Sequence, residues 1–157
     1  MDTSTSAATF ESGTIEIIAF RLHDQEFCLR TTTIREIRGW APSTPIPHSP
    51  KGVIGVINLR GKVIPIIDLA YKLGMVSSTA NERSAIVVTE VRNMIIGILV
   101  DRVSDILTIK GSDVQPVPEV TTSFDKAYTD GIITRENGMI CFLNLTAMFG
   151  DQNTLAA

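Results

Sequence analysis

The sequence feature that most constrains the fold is an internal repeat. A shift of 76 residues aligns residues 55–57 with 131–133 and residues 66–69 with 142–145, and a shift of 69 aligns Ile34 with Val103. The first alignment stays in register over the whole hairpin and the helix after it, which favours duplication over a chance likeness between two hairpins. We therefore predict two similar units, at about residues 15–76 and 84–150, joined by the small and polar residues 77–83.

Each unit is predicted to consist mainly of β-strands. Ile and Val together number 32 against 10 Leu, and β-branched side chains suit a pleated sheet better than a helix. Alternation and turn signals predict strands at 14–22, 26–30, 53–59, 62–67, 85–91, 94–100, 131–134 and 139–143. Short helices are expected at 68–73 and 144–149, opened by the N-cap residues Asp68 and Asn144 and closed by Gly74 and Gly150.

The size of each unit limits the ways in which its strands can pack. About 65 residues and five strands are too few for a sandwich, but they suit a small closed barrel, which leaves no free edge strands. We expect an all-β fold of two barrels packed side by side, with short helices, a shared core and a groove between the barrels.

Charge, apolar runs and cysteine content exclude several classes of protein. Fourteen Lys and Arg against 17 Asp and Glu give a net charge of −3, which disfavours nucleic acid as a partner. The longest apolar stretch, residues 94–100, is far shorter than the roughly 20 residues that span a bilayer, and residues 1–12 do not resemble a signal peptide. Cys28 and Cys141 lie in apolar strands without metal-ligand spacing, which favours free thiols in a reducing cytoplasm and no metal site.

The sequence contains no motif that indicates catalysis or a cofactor. Phosphate-binding glycine loops and nucleophile motifs are absent, so neither an enzymatic activity nor a cofactor is expected. His23 in a turn and His48 among prolines are expected to be solvated. Asp68 is interpreted as a helix cap and Asp101 as a turn residue. A carboxylate pair drawn from Asp68, Asp101 and Asp105 is the remaining enzymatic alternative.

Two charged residues are candidates for a specific ion pair at the surface. Arg60 lies at the tip of the hairpin formed by 53–59 and 62–67, and Glu36 lies in 34–39, interpreted as an amphipathic turn with Ile34 and Ile37 on one side. A guanidinium held on a short turn pairs well with a carboxylate. We predict a Glu36–Arg60 pair that joins two segments at the surface and, at about 0–1 kcal/mol, serves positioning rather than stability. The alternative is two separately solvated charges.

The order of motifs along the chain resembles the CheW family of bacterial chemotaxis coupling proteins. The resemblance rests on I-R-E-I-R-G at 34–39, I-P at 46–47, G-V-I-N-L-R-G-K-V-I-P-I-I-D-L at 55–69 and G-I-L-V-D-R-V-S-D-I at 97–106. It runs from about Thr14 to Gly150. The resemblance implies a stand-alone CheW-like domain at 14–150, made of two SH3-like five-stranded β-barrels and acting as a non-catalytic adaptor.

The same resemblance implies two partners and two contact surfaces. The partners are the regulatory domain of the histidine kinase CheA and the cytoplasmic tip of chemoreceptors (methyl-accepting chemotaxis proteins), and the adaptor joins them in membrane-associated arrays without inserting into the membrane. Carried onto this chain, it places receptor contacts at Ile34, Arg60, Val100 and Val103 and kinase contacts at Glu36, Ile37, Arg38 and Ile46. Gly55 and Gly61 are expected as structural turn residues. For Ile34, Val100 and Val103, ordinary barrel core is the alternative interpretation.

A second function remains open beside the adaptor. An SH3-like barrel could bind a peptide or a small ligand in the same groove without any kinase partner. The segments 1–13 and 151–157 are expected to be flexible, and no role is assigned to them.

Overall fold

The computed structural model describes residues 13–118, 128–136 and 138–149. The strands are β1 (Thr14–Leu22), β2 (Gln25–Arg30), β3 (Ile34–Gly39), β4 (Val53–Leu59), β5 (Lys62–Asp68), β6 (Ala85–Val91), β7 (Met94–Val100), β8 (Arg102–Lys110), β9 (Val114–Gln115), β10 (Thr129–Arg135) and β11 (Gly138–Leu143). The helices are α1 (Leu69–Lys72) and α2 (Leu145–Phe149), and 3₁₀ turns occupy Thr31–Thr33 and Gly111–Asp113. Every predicted strand is present, whereas β3, β8 and β9 were not predicted. Residues 1–12, Gly150 and the predicted tail 151–157 lie outside the described residues.

The strands form two sheets, and each sheet contains strands from both sequence units. Sheet A has the order β8-β1-β2-β11-β10-β9, and sheet B has the order β3-β6-β7-β5-β4. The β1–β2 hairpin of the first unit therefore belongs to the sheet built mainly by the second unit. The β6–β7 hairpin makes the opposite exchange. Both exchanged hairpins attach through parallel pairs, β2 with β11 and β7 with β5.

The two sequence units are thus not the two barrels. The described residues of the two units repeat one order of elements, since β1–β2 correspond to β6–β7, β3 to β8, and β4–β5–α1 to β10–β11–α2. Each unit, however, gives its first hairpin to the other. The third strand of each unit pairs with the first strand of its counterpart, as β3 does with β6 and β8 with β1. The exchange covers strand edges that two separate units would leave unpaired.

Three apolar clusters fill the part of the chain that the structure describes. One lies within sheet A (Ile15, Ile17, Ala19, Cys28, Ile133, Ile140, Phe142) and one within sheet B (Leu59, Ile64, Ile66, Ile86, Val88, Leu99). A larger central cluster takes residues from β1, β2, β5, α1, β6, β7, β11 and α2, and in it the rings of Phe20 and Phe27 stack with centroids 6.4 Å apart. The predicted shared core between two packed barrels is confirmed.

Two equivalent glycines show how closely the repeated units match in space. A Cβ on Gly55 would lie 2.6 Å from the carbonyl oxygen of Thr44, and a Cβ on Gly131 would lie 2.7 Å from that of Gln115. In sheet B the segment before β4 forms only a single bridge, between Thr44 and Val56. In sheet A the segment before β10 forms the two-residue strand β9. This difference accounts for six strands in sheet A and five in sheet B.

The helix ends follow the predicted capping chemistry. Asp68 Oδ1 accepts a hydrogen bond from Tyr71 N at 3.3 Å, and Asn144 Oδ1 accepts one from Ala147 N at 2.9 Å. Gly74 has a φ of 81° directly after α1, and its N–H donates to Tyr71 O at 3.0 Å. The next N–H, of Met75, donates to Ala70 O at 2.9 Å, which completes a Schellman motif.

Candidate functional site

Arg60 and Glu36 meet on the surface of sheet B. Arg60 Nη1 donates to Glu36 Oε1 at 2.7 Å, which confirms the predicted pair. Since β3 and β4 are the two edges of sheet B, the pair connects one edge strand to the turn that follows the other. The Arg60 side chain remains 75% exposed, whereas that of Glu36 is 24% exposed. The guanidinium is therefore anchored at one end and accessible over most of its surface.

The turn that carries Arg60 fixes its backbone. Arg60 and Gly61 have φ values of 51° and 86°, which is the geometry of a two-residue hairpin turn with both central residues at positive φ. The side-chain oxygen of Asn58 accepts a hydrogen bond from Gly61 N at 2.8 Å. Gly61 lies in this turn, which presents Arg60 in a defined direction. Gly55, expected as a turn residue, instead lies within the strand β4.

Residues 34–39 form the strand β3, so the predicted amphipathic turn is wrong. The register with β6 shifts between Ile34 and Glu36, which makes Arg35 the extra residue of a β-bulge. One extra residue reverses the alternation of side chains, so Ile34 and Ile37 lie on the same face of the strand. The spacing of three between these isoleucines indicated one shared face correctly, but a bulge rather than a helical turn produces it.

The strand β3 and the segment after it carry exposed or partly exposed charged and apolar side chains. Arg38 Nη1 lies 3.7 Å from Glu36 Oε2, so this carboxylate is shared by two arginines. The side chain of Ile37 is 42% exposed, and that of Ile46 is 43% exposed. Ile46 follows Thr44, whose bridge to Val56 holds the segment beside β4. Sheet B thus presents charged and apolar side chains along its two edges.

The groove residues fall into two groups. Ile34 and Val103, which the repeat alignment makes equivalent, are half-buried and pack against the central cluster. Val100 is 0% exposed and lies inside that cluster. A fully enclosed side chain offers no surface to a partner, so Val100 is corrected from a contact residue to a core residue.

The three carboxylates considered for catalysis each accept a hydrogen bond from a backbone N–H group. Asp68 caps α1, Asp101 Oδ2 accepts from His23 N at 2.6 Å, and Asp105 Oδ1 accepts from Ile106 N at 3.0 Å. The described residues contain no group of three His, Cys, Asp or Glu side chains placed to hold a metal ion. Burial raises the pKa of the Cys28 thiol and raises that of Cys141 to about 11. Both thiols are therefore protonated at neutral pH, which suits an apolar packing role.

The sequence analysis missed one feature on sheet B and one on sheet A. Arg35 forms an ion pair with Glu90 of β6, and no periodic signal marks the bulge that brings them together. Ile106 is an exposed isoleucine on β8. The repeat alignment could have found it, because a shift of 69 places Ile37 on Ile106.

Comparison with known proteins identifies the family of this chain. A family model described as a CheW-like domain matches residues 16–153, which is most of the sequence. The chain belongs to the CheW family. Its CheW relatives include "Chemotaxis protein CheW" of Rhizobium meliloti, 44% identical over 97% of this chain and 98% of that protein. "Probable chemotaxis protein CheW" of Rhizobium etli is 46% identical over 98% of this chain and 99% of that protein.

A solved CheW structure supports the fold as well. The crystal structure of scaffolding protein TtCheW from Thermoanaerobacter tengcongensis superposes with a TM-score of 0.80 at 31% identity, covering 87% of this chain and 88% of that one. These likenesses give the chain the fold of two SH3-like barrels and the role of a chemotaxis adaptor or scaffold, and they do not favour the peptide- or ligand-binding alternative. Across the described residues, no helix is both long enough and apolar enough to cross a membrane.

Proposed function

We propose that this chain couples chemoreceptors to the histidine kinase CheA in membrane-associated arrays on the cytoplasmic side, with no catalysis of its own. Membership of the CheW family supports the role in general terms. The observation that carries the assignment of surfaces is the Glu36–Arg60 pair, which anchors an exposed guanidinium on sheet B. The strand that carries Glu36 also carries the exposed Ile37 and the half-buried Ile34. Such a combination is typical of protein interfaces, where a few apolar and arginine anchors contribute most of the affinity.

The receptor contact is assigned to Arg60 together with Ile34 and Val103. A receptor tip is a helical hairpin, and a helix binds in a groove through apolar side chains that recur along one face. Ile34 and Val103 offer such contacts at the edge of the central cluster. Arg60 uses one nitrogen for Glu36, and its exposed N–H groups are available to a partner carboxylate or carbonyl. Val100 supports this surface from beneath, as part of the core.

The kinase contact is assigned to Glu36, Ile37, Arg38 and Ile46. Ile37 and Ile46 are large apolar side chains that the fold leaves well exposed, and Glu36 and Arg38 place charges beside them. A surface of this kind fits a partner built of similar barrels, since two sheets can bury their isoleucines against each other while the charges fix the orientation.

The receptor assignment predicts a functional loss without a loss of fold. We expect Arg60→Ala to reduce receptor-dependent kinase activation in reconstituted arrays by about tenfold or more, because the groove loses its charged anchor. The thermal midpoint should change little, since an exposed ion pair contributes only about 0–1 kcal/mol. Arg92→Ala is the matched control, because Arg92 is exposed in the β6–β7 turn with the same φ of 51°. Full activation by the Arg60 variant would overturn this assignment.

The kinase assignment predicts a separate effect. Ile37→Ala and Ile46→Ala should each weaken binding to the isolated regulatory domain of CheA by about tenfold in calorimetric titrations. Arg60→Ala should weaken this binding less than either isoleucine variant, because Arg60 reaches the kinase surface only through its hydrogen bond to Glu36. The control is Val76→Ala, which shortens an exposed apolar side chain outside sheet B. If the Val76 variant lost as much affinity as the isoleucine variants, the assigned kinase surface would be wrong.

A further inference from the structure

A second site lies where the linker between the units meets sheet A. A pocket of about 440 Å³ is lined by Arg21 of β1, Arg102 of β8 and Arg83 of the linker, with His23 and Asn81 beside them. Asp101 is the one carboxylate among its lining residues. The chain as a whole carries a net charge of −3, whereas this pocket is lined by three positively charged guanidinium groups.

The fold does not neutralise these arginines. Arg21 and Arg102 are direct cross-strand partners, and like charges in that position destabilise a sheet. Within the described parts of the chain, none of the three arginines has a carboxylate within ion-pair distance. Asp101, whose Oδ2 accepts the backbone N–H of His23 at 2.6 Å, supplies one negative charge against the three positive charges of the arginines. The pocket therefore keeps an excess of positive charge.

The repeat shows that this charge is not a requirement of the architecture. A shift of 69 residues places Arg21 on Glu90 and Ser104 on Arg35. In sheet B those positions hold an ion pair, Arg35 with Glu90. In sheet A the same two positions hold an arginine and a serine, so Arg21 is left without the partner that its counterpart has.

The walls of the pocket are held in place before any ligand binds. Arg21 is half-buried and its Nη2 donates to Asp24 O at 3.0 Å. The His23 ring places Nε2 2.6 Å from Val76 O, which ties the start of the linker to the β1–β2 turn. Asn81 Oδ1 accepts from Arg83 N at 2.8 Å, which shapes the linker where Arg83 emerges.

We propose that this pocket binds the polyphosphate group of a small molecule, either a free polyphosphate or a nucleotide. Guanidinium groups match phosphate oxygens through paired hydrogen bonds, and three of them on three different segments can surround several phosphates. The pocket volume lies in the range of small-molecule sites. Bound ligand would hold the linker against β1 and β8 and so stiffen the connection between the two units.

The experiment is a titration of the full chain with sodium tripolyphosphate and with ATP without added magnesium, at constant ionic strength. We expect saturable 1:1 binding by calorimetry, with amide shifts in heteronuclear NMR confined to the β1–β2 turn, the linker and the start of β8. The double variant Arg83→Gln/Arg102→Gln should bind at least about tenfold more weakly. The control Arg92→Gln/Arg135→Gln removes the same charge from two exposed arginines outside the pocket, and its affinity should stay within about twofold.

Ser104→Glu gives a second test that removes no pocket residue. It places a carboxylate beside Arg21, as in the Arg35–Glu90 pair, and should also weaken binding about tenfold. It decides the question if circular dichroism shows that the double variant is unfolded. Absence of saturable binding at millimolar concentrations, or equal weakening in the control, would overturn the proposal. Equal affinities for the two probes would identify free polyphosphate as the ligand class, and tighter binding of ATP would identify a nucleotide.

Discussion

Phe20→Ala is expected to lower the free energy of unfolding by about 3–5 kcal/mol, the range for removing a buried aromatic ring. Phe20 is fully buried in the central cluster and stacks on Phe27. The cavity cannot be filled easily, because its walls come from both sheets and from both helices. Since stabilities of natural domains are of the order of 5–15 kcal/mol, the variant should lose a large part of its total stability.

The position of the single tryptophan makes this prediction a test of the shared core. Phe20 belongs to β1 of sheet A, whereas Trp40 packs against the cluster of sheet B. Urea unfolding followed by Trp40 fluorescence should therefore shift as much as unfolding followed by circular dichroism. Met139→Ala, an exposed change on β11 of sheet A, should stay within about 0.5 kcal/mol. A tryptophan transition that did not move in the Phe20 variant would mean that the two sheets unfold independently.

Gly55→Ala should cost about 1–3 kcal/mol, as overpacking a rigid site does. The added Cβ would lie 2.6 Å from the carbonyl oxygen of Thr44, and backbone atoms cannot rotate away as a side chain can. The approach is fixed by two hydrogen bonds of 2.9 Å between Thr44 and Val56, one in each direction. Gly55→Val should cost more, because its two additional methyl groups enter the same space. Thermal or urea unfolding measures both effects.

Gly39→Ala is the matched control for this prediction. Gly39 ends β3 of the same sheet, an added Cβ would meet no atom within 4 Å, and its backbone is not in the positive-φ region. Alanine there should be neutral or should stabilise by up to about 1 kcal/mol, because it restricts the unfolded chain. Equal destabilisation at both glycines would show that the close approach of Thr44 is not the cause.

Much of the fold was predictable because its signals are local. Alternating β-branched residues placed every predicted strand, and the caps at Asp68 and Asn144 follow from side-chain chemistry at the helix starts. The exchange of hairpins was not predictable in the same way. A repeat shows which segments are alike, but it does not show whether a hairpin pairs within its own unit or with the equivalent strands of the other.

The candidate site was likewise predictable only where its signals are local. The Glu36–Arg60 pair was predictable because an arginine held on a short hairpin turn pairs readily with a carboxylate. Burial is a collective property, however, and an apolar motif residue in a strand looks the same whether it lines a groove or fills a core. Val100 illustrates this limit, since only the packing of both sheets encloses it. The bulge at Arg35 was not predictable either, because one inserted residue in a strand gives Ile34 and Ile37 the spacing of a helical turn.

The exchanged hairpins also determine how this chain can be divided. A cut in the linker between α1 and β6 would leave two fragments, each with its first hairpin belonging to a sheet that the other fragment must complete. Neither half could bury its apolar faces alone, so the halves would regain the fold only as a complex. An adaptor built in this way could be split into two fragments whose association restores both proposed contact surfaces at once.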